Sequence, residues 1–253
     1  MTYCVAIKLD AGMVFLSDTR TNAGLDNIAK FKKMFTWEVP GDRCITLMTA
    51  GNLAITQAVI SLLQENIDHP ENGLETILSA PSMFRIAELV GDAMQVVQTR
   101  YGPGMTQTGE STMSSILVGG QRAGGAPRLF HVYTAGNFIE ATAETPYFQI
   151  GEHKYGKPIL DRIITPETPL DVSVTAALLS MDSTLRSNLS VGMPLDLSVL
   201  ETDKLQFSQN RRISKQDPDY QRLSVGWSTA LRNAFDEVMH LNVQQQQSQS
   251  QKV

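Results

Sequence analysis

No stretch of this 253-residue chain approaches the roughly 18 consecutive apolar residues that a membrane-crossing helix requires, so no membrane span is expected. The amino terminus has no basic region, and Lys8, Asp10 and Asp18 break its apolar runs, so it does not read as a secretion signal. Cysteine is scarce. The two present, Cys4 and Cys44, sit in apolar, strand-like runs and are too few for a disulfide framework; they are expected to be buried free thiols, as in a reducing cytoplasm. The four histidines, His69, His131, His153 and His240, are scattered singly and read as structural residues, so no metal site is implied. A basic excess is missing too: the net charge is −5, which argues against a nucleic-acid partner. No solenoid-period repeat and no interdomain linker is visible.

What is present is ordinary globular composition, 42% apolar and 19% charged, in a chain long enough to bury a sizeable core. Tyr3 to Leu9 and Met13 to Asp18 are short apolar runs joined by Asp10-Ala11-Gly12, the signature of a hairpin. Residues 21–30 read as a loop. Lys33 to Glu38 and Arg43 to Ala50 make a second strand pair, and the first fifty residues are expected to form one four-stranded antiparallel block. Then the period changes. Ile55, Val59, Leu62, Leu63 and Ile67 recur at helical spacing behind a candidate cap, Asn52. A second helix is expected from Ser82 to Tyr101, stopped by Gly102-Pro103-Gly104, with Met83 and Met94 as core packing. Strands return between Ser115 and Ile150. Two helices follow (154–164 and 169–186), then two strands and a helix from about Tyr220 to Leu241. The order predicts an α+β fold; a four-layer αββα sandwich of two stacked antiparallel sheets is one of several arrangements that fit it. Residues 1–243 are read as one domain and the Gln/Ser-rich residues 244–253 as a disordered tail.

One constellation carries chemistry. Thr2 follows the initiator methionine directly, and trimming of Met1 would leave a hydroxyl and a free α-amine on one residue, a nucleophile with its own base. In a hairpin the start of the first strand lies beside the end of the second, so Asp18 is expected next to Thr2. Lys33 opens the next strand from the cluster Lys30, Lys32, Lys33; beside Asp18 its positive charge would favour ionisation of the Thr2 hydroxyl. Gly51 stands at a strand-to-helix turn, where a backbone N–H can serve as an oxyanion donor.

With these residues in place the sequence resembles the proteasome β-type subunits, which are N-terminal-nucleophile hydrolases. The matching pattern is Thr2, Gly12, Ser17-Asp18-Thr19-Arg20-Thr21 with Gly24, Lys33, and Thr49-Ala50-Gly51. More narrowly it looks like the bacterial ancestral β-subunit group, Anbu, in the segments Gly151 to Pro158 and Met181 to Ser190 and in its C-terminal extension. The resemblance implies a threonine peptidase with Thr2 as nucleophile, Asp18 orienting Lys33, Lys33 tuning Thr2, the Gly51 N–H stabilising the oxyanion, and Ser190 as a supporting serine. It also implies self-assembly into a ring or open spiral and a peptide or unfolded-protein substrate; separately, an ATPase unfoldase is a possible partner, though no residue of the sequence names one.

Two positions depart from the β-subunit pattern. Glu152 follows Gly151 where a serine is usual, and Ser187 falls where an aspartate is expected, while Ser190 keeps its serine. Asp182 lies five residues before Ser187 and is too distant to stand in for that aspartate. Two rival readings follow: a β-type scaffold with vestigial proteolysis, which the altered residues favour, and an amidase of the same fold acting on small amides.

Overall fold

The structure, a computed structural model, describes residues 2–22 and 28–250. Gly24 of the motif and residues 251–253 of the tail therefore lie outside the described residues, as does Met1. The chain divides into two compact units, the first ending at Ser214 and the second beginning at Lys215.

In the first unit, strands β1 (Tyr3–Leu9) and β2 (Gly12–Asp18) form the expected hairpin, with Cys4 opposite Ser17 and Leu9 opposite Gly12. Within the stretch expected to be a loop, β3 (Arg20–Asn22) and β4 (Ile28–Lys30) pair as a small two-stranded ribbon, Arg20 opposite Lys30. Strands β5 (Met34–Val39) and β6 (Arg43–Gly51) make the next hairpin. The two large hairpins do not join into one block. The free edge of β2 is taken by β11 (Leu195–Glu201), which pairs with β12 (Phe207–Ile213), while β10 (Tyr147–Gly151) closes the far side of β1. The free edge of β6 is taken by β7 (Ser114–Arg122), followed by β8 (Arg128–Val132) and β9 (Phe138–Glu140). Two five-stranded antiparallel sheets result, β10-β1-β2-β11-β12 and β5-β6-β7-β8-β9. Alternation along a strand reveals its faces but not its neighbours, which is why the first fifty residues read as a single sheet.

The period of two decides the layers. On β6, Cys44, Met48 and Ala50 point between the sheets, where they meet Cys4, Ala6, Met13, Phe15, Leu117 and Phe148. Ile45 and Leu47, on the alternate face, meet a pair of helices, α1 (Leu53–Asp68) and α2 (Met83–Gln107). Against the other sheet lies α4 (Leu170–Ser187), with α3 (Lys157–Ile163) packed beside it. The architecture is the αββα sandwich.

α1 starts where expected: the Asn52 side chain accepts from the Ile55 N–H at 3.1 Å. α2 does not stop at Gly102-Pro103-Gly104 but runs through Pro103 to Gln107. Proline removes one N–H from the helix ladder. Here Thr99, whose carbonyl would take that bond, is exposed and open to water, and the Thr106 hydroxyl donates back to the Gly102 carbonyl at 2.9 Å. Met83 and Met94 are buried in the core, as expected.

The second unit is α5 (Pro218–Ser250), a helix that continues beyond the expected end at Leu241 into the Gln/Ser-rich residues. Asp217 caps it, its Oδ1 accepting from the N–H of Asp219 and Tyr220 at 3.1 and 3.0 Å.

Candidate active site

The hairpin register sets the site. Because Cys4 faces Ser17, the next pair outward is Tyr3 and Asp18, which brings the end of β2 to the residue following Thr2. The Tyr3 N–H donates to Asp18 Oδ1 at 3.1 Å. Lys33 Nζ donates to the same oxygen at 2.7 Å, and the pair is sealed from solvent at 3% and 0% side-chain exposure. Asp18 Oδ2 accepts from the Gly192 N–H at 3.1 Å, on the segment between α4 and β11. Lys33 Nζ also donates to the Arg20 carbonyl. Burial raises the Asp18 carboxyl above its ordinary value, opposed by the charge and hydrogen bond of Lys33 and by the N–H groups of Tyr3 and Gly192. An aspartate with three N–H donors at the junction of β1, β2 and the α4–β11 segment orients the lysine that precedes β5.

Thr2 is buried. Its carbonyl accepts from the Glu152 N–H at 2.6 Å. Gly151 makes that approach possible. It lies opposite Tyr3 with a φ of +82°, and a Cβ there would fall 2.0 Å from the Thr2 carbonyl oxygen. Gly51 ends β6 at a φ of +100°, where a Cβ would lie 2.2 Å from the Met113 carbonyl oxygen. It is tied to the same region through β6: the Thr49 N–H donates to the Lys33 carbonyl at 2.9 Å. Cys4, beneath the site, donates its thiol to the Thr49 carbonyl, and burial pushes that thiol far up, leaving it unreactive.

The structure thus gathers Asp18, Lys33 and the residue after Thr2 into one bonded cluster and sets Gly51 on the strand bonded to Lys33. Ser190 is placed differently. It is half-buried on the α4–β11 segment, and among the described residues its hydroxyl is bonded to none of Thr2, Asp18 and Lys33; its backbone N–H donates to Asn188 Oδ1 at 2.9 Å. Ser187 is exposed at the end of α4, and Asp182 is buried on that helix, paired with Arg186 at 3.0 Å.

Solved structures share this fold at high identity. The Anbu (Gly-1) mutant from Hyphomicrobium sp. strain MC1 is 49% identical, covers 93% of this chain and 97% of its own, and superposes with a TM-score of 0.85. Anbu, the ancestral β-subunit, from Yersinia bercovieri is 45% identical over 92% of this chain and 96% of its own, with a TM-score of 0.87. The chain belongs to the Anbu family. It is a proteasome-like β-type subunit with the N-terminal-nucleophile hydrolase fold. A third Anbu protein, from Pseudomonas aeruginosa, was solved as a helical assembly; it is 46% identical over 93% of this chain and 96% of its own, with a TM-score of 0.88. No family model and no curated protein matches the chain.

Sequence reasoning missed two contributors to this candidate site. Asn188, the residue after Ser187, is buried and donates from Nδ2 to Glu152 Oε2 at 3.2 Å. Glu152, read above only as a departure from a serine, holds the Thr2 carbonyl with its backbone. Arg20 adds a third tie, donating to the carbonyls of Leu189 and Val191 at 2.9 and 3.5 Å. No local pattern announces a bond between residues 36 apart; the one available signal was Gly151, a glycine ahead of a charged residue at a strand end. Among the described residues, no group of three His, Cys, Asp or Glu side chains could hold a metal ion, and no helix is long and apolar enough to cross a membrane.

Proposed function

We propose that this Anbu chain is a threonine peptidase whose nucleophile is the Thr2 hydroxyl, with the α-amine freed by loss of Met1. The amine, directly or through water, takes the hydroxyl proton as Oγ bonds to the substrate carbonyl carbon. Lys33, oriented by Asp18, supplies the positive charge that favours the alkoxide. The Gly51 N–H stabilises the tetrahedral oxyanion, worth about 3–4 kcal/mol for one such donor in comparable sites. Collapse breaks the C–N bond, the leaving amine takes the proton, and water then hydrolyses the Thr2 ester. The single observation that supports this most is the Asp18 carboxylate, bonded at once to Lys33, to the amide following Thr2 and to the α4–β11 segment. We propose further that the chain acts in the cytoplasm as a homo-oligomer, ring or open spiral, in line with the helical assembly of the Pseudomonas aeruginosa relative, on peptides or unfolded proteins that an ATPase unfoldase can deliver.

Intact mass before and after a peptide epoxyketone tests the chemistry, because that reagent needs a hydroxyl and a free amine on the same activated residue. The expected result is loss of the methionine mass and one adduct, absent from Thr2→Ala. Methionine retained with no adduct would overturn the proposal in favour of a scaffold role.

A further inference from the structure

Two turns, about 40 residues apart in the second half of the chain, converge on the site. One, Gly151-Glu152, holds the Thr2 carbonyl through the Glu152 N–H at 2.6 Å. The other, residues 188–192, holds Asp18 through the Gly192 N–H at 3.1 Å. One side chain joins them. Asn188 donates from Nδ2 to Glu152 Oε2 at 3.2 Å and accepts at Oδ1 from the Ser190 N–H at 2.9 Å. The second Glu152 oxygen, Oε1, accepts from the Lys154 N–H at 3.3 Å. Both ends of each side chain are therefore committed, and Asn188 is buried while Glu152 is half-buried.

We propose that Glu152 and Asn188 act as a positioning pair: their hydrogen bond locks the turn that fixes Thr2 to the turn that fixes Asp18, and so sets the distance between hydroxyl and lysine. This rests on the peptidase reading above. The bond is charge-assisted, with carboxylate as acceptor and amide as donor, and so stronger than a bond between neutral groups. Neither residue needs to touch substrate. The effect on rate comes from alignment, and a displacement of about 1 Å at a reacting centre costs on the order of a hundredfold.

The pairing makes a prediction that a merely structural contact would not. Asn188→Asp sets a carboxylate against the Glu152 carboxylate with almost no change of shape. The like charges repel and the bond is lost, while the Ser190 N–H keeps its acceptor. Adding Glu152→Gln reverses the polarity: the new side-chain amide donates to the carboxylate introduced across from it and keeps an oxygen for the Lys154 N–H. The experiment measures peptide turnover and the rate of epoxyketone adduct formation on the full-length protein for the wild type, N188D, E152Q and the double variant. N188D is expected to lose at least tenfold in kcat with KM nearly unchanged, and the double variant to return to within about threefold of wild type. A large interaction term between the two substitutions is the signature of direct coupling. Should N188D fail to fold, the double variant still decides, since restored folding and rate together require the pair. Equal rates for wild type and N188D, or a double variant no better than N188D, would overturn the inference and leave the peptidase reading intact. A wild-type protein that forms no adduct would instead overturn the reading on which it rests.

Discussion

Asp18 shows how much of the site hangs on one side chain. A carboxylate accepts from several donors at once, and here the donors are Lys33 Nζ, the Tyr3 N–H and the Gly192 N–H. An asparagine of the same shape can accept through only one of its two heads; the other turns an NH2 towards a donor. Asp18→Asn also takes a carboxylate away from the Lys33 ammonium, which is 3% exposed. Removing one member of a buried pair costs about 3–5 kcal/mol. D18N should therefore lose about that much in urea unfolding, and lose adduct formation as well; unchanged stability would show that the pair is hydrated in solution. The meeting of Asp18 and Lys33 beside the start of β1 was legible in the sequence because a hairpin forces its two ends together and a known pattern fits them. Asn188 was not, because its role depends on Glu152, which is brought near only by the completed sandwich.

At the level of elements, the helices divide into those set by local signals and those set by tertiary packing. α1 and α2 begin at side chains that satisfy otherwise orphaned N–H groups, Asn52 and Ser82, and the Ser82 Oγ accepts from the Arg85 N–H at 3.1 Å. Ser82→Ala should cost about 1 kcal/mol, seen as a Tm lower by about 2–4 °C for a protein of this size, with the epoxyketone adduct forming at the wild-type rate. A drop in adduct rate would mean that α2 transmits strain to the site. The C-terminal end of α2 is the opposite case. Gly102-Pro103-Gly104 is a strong stop signal, yet the helix persists because Ala93, Met94 and Val97 on the turns before it are anchored in the core. The β3–β4 ribbon was equally illegible: three-residue strands carry too little alternation to stand out.

For the whole molecule, the order of strand and helix patterns admitted the αββα layering as one arrangement of several and the family resemblance singled it out, whereas the assignment of hairpins to sheets was not readable. The folded molecule carries a titrating group whose proton uptake it opposes. His131 on β8 has its pKa lowered to about 4 by burial, against Tyr133 and Phe148. Unfolded, such a ring takes up its proton near pH 6.5. Between those values the unfolded chain binds one proton more than the folded one, so stability falls as the pH drops. His131→Gln removes this contribution. The difference in Tm between pH 7 and pH 4.5 should shrink by several degrees in that variant; a pH dependence identical to wild type would place the acid sensitivity elsewhere.

The clamp on residue 2 bears on timing. Both backbone ties there, the Thr2 carbonyl to Glu152 and the next amide to Asp18, lie on the downstream side of its α-carbon. Neither passes through the α-nitrogen. An aminopeptidase that clips the preceding residue during synthesis, or long afterwards, severs nothing that these ties depend on. On the peptidase reading proposed above, maturation would be uncoupled from folding, and a newly made chain could reach its final shape before Thr2 is armed.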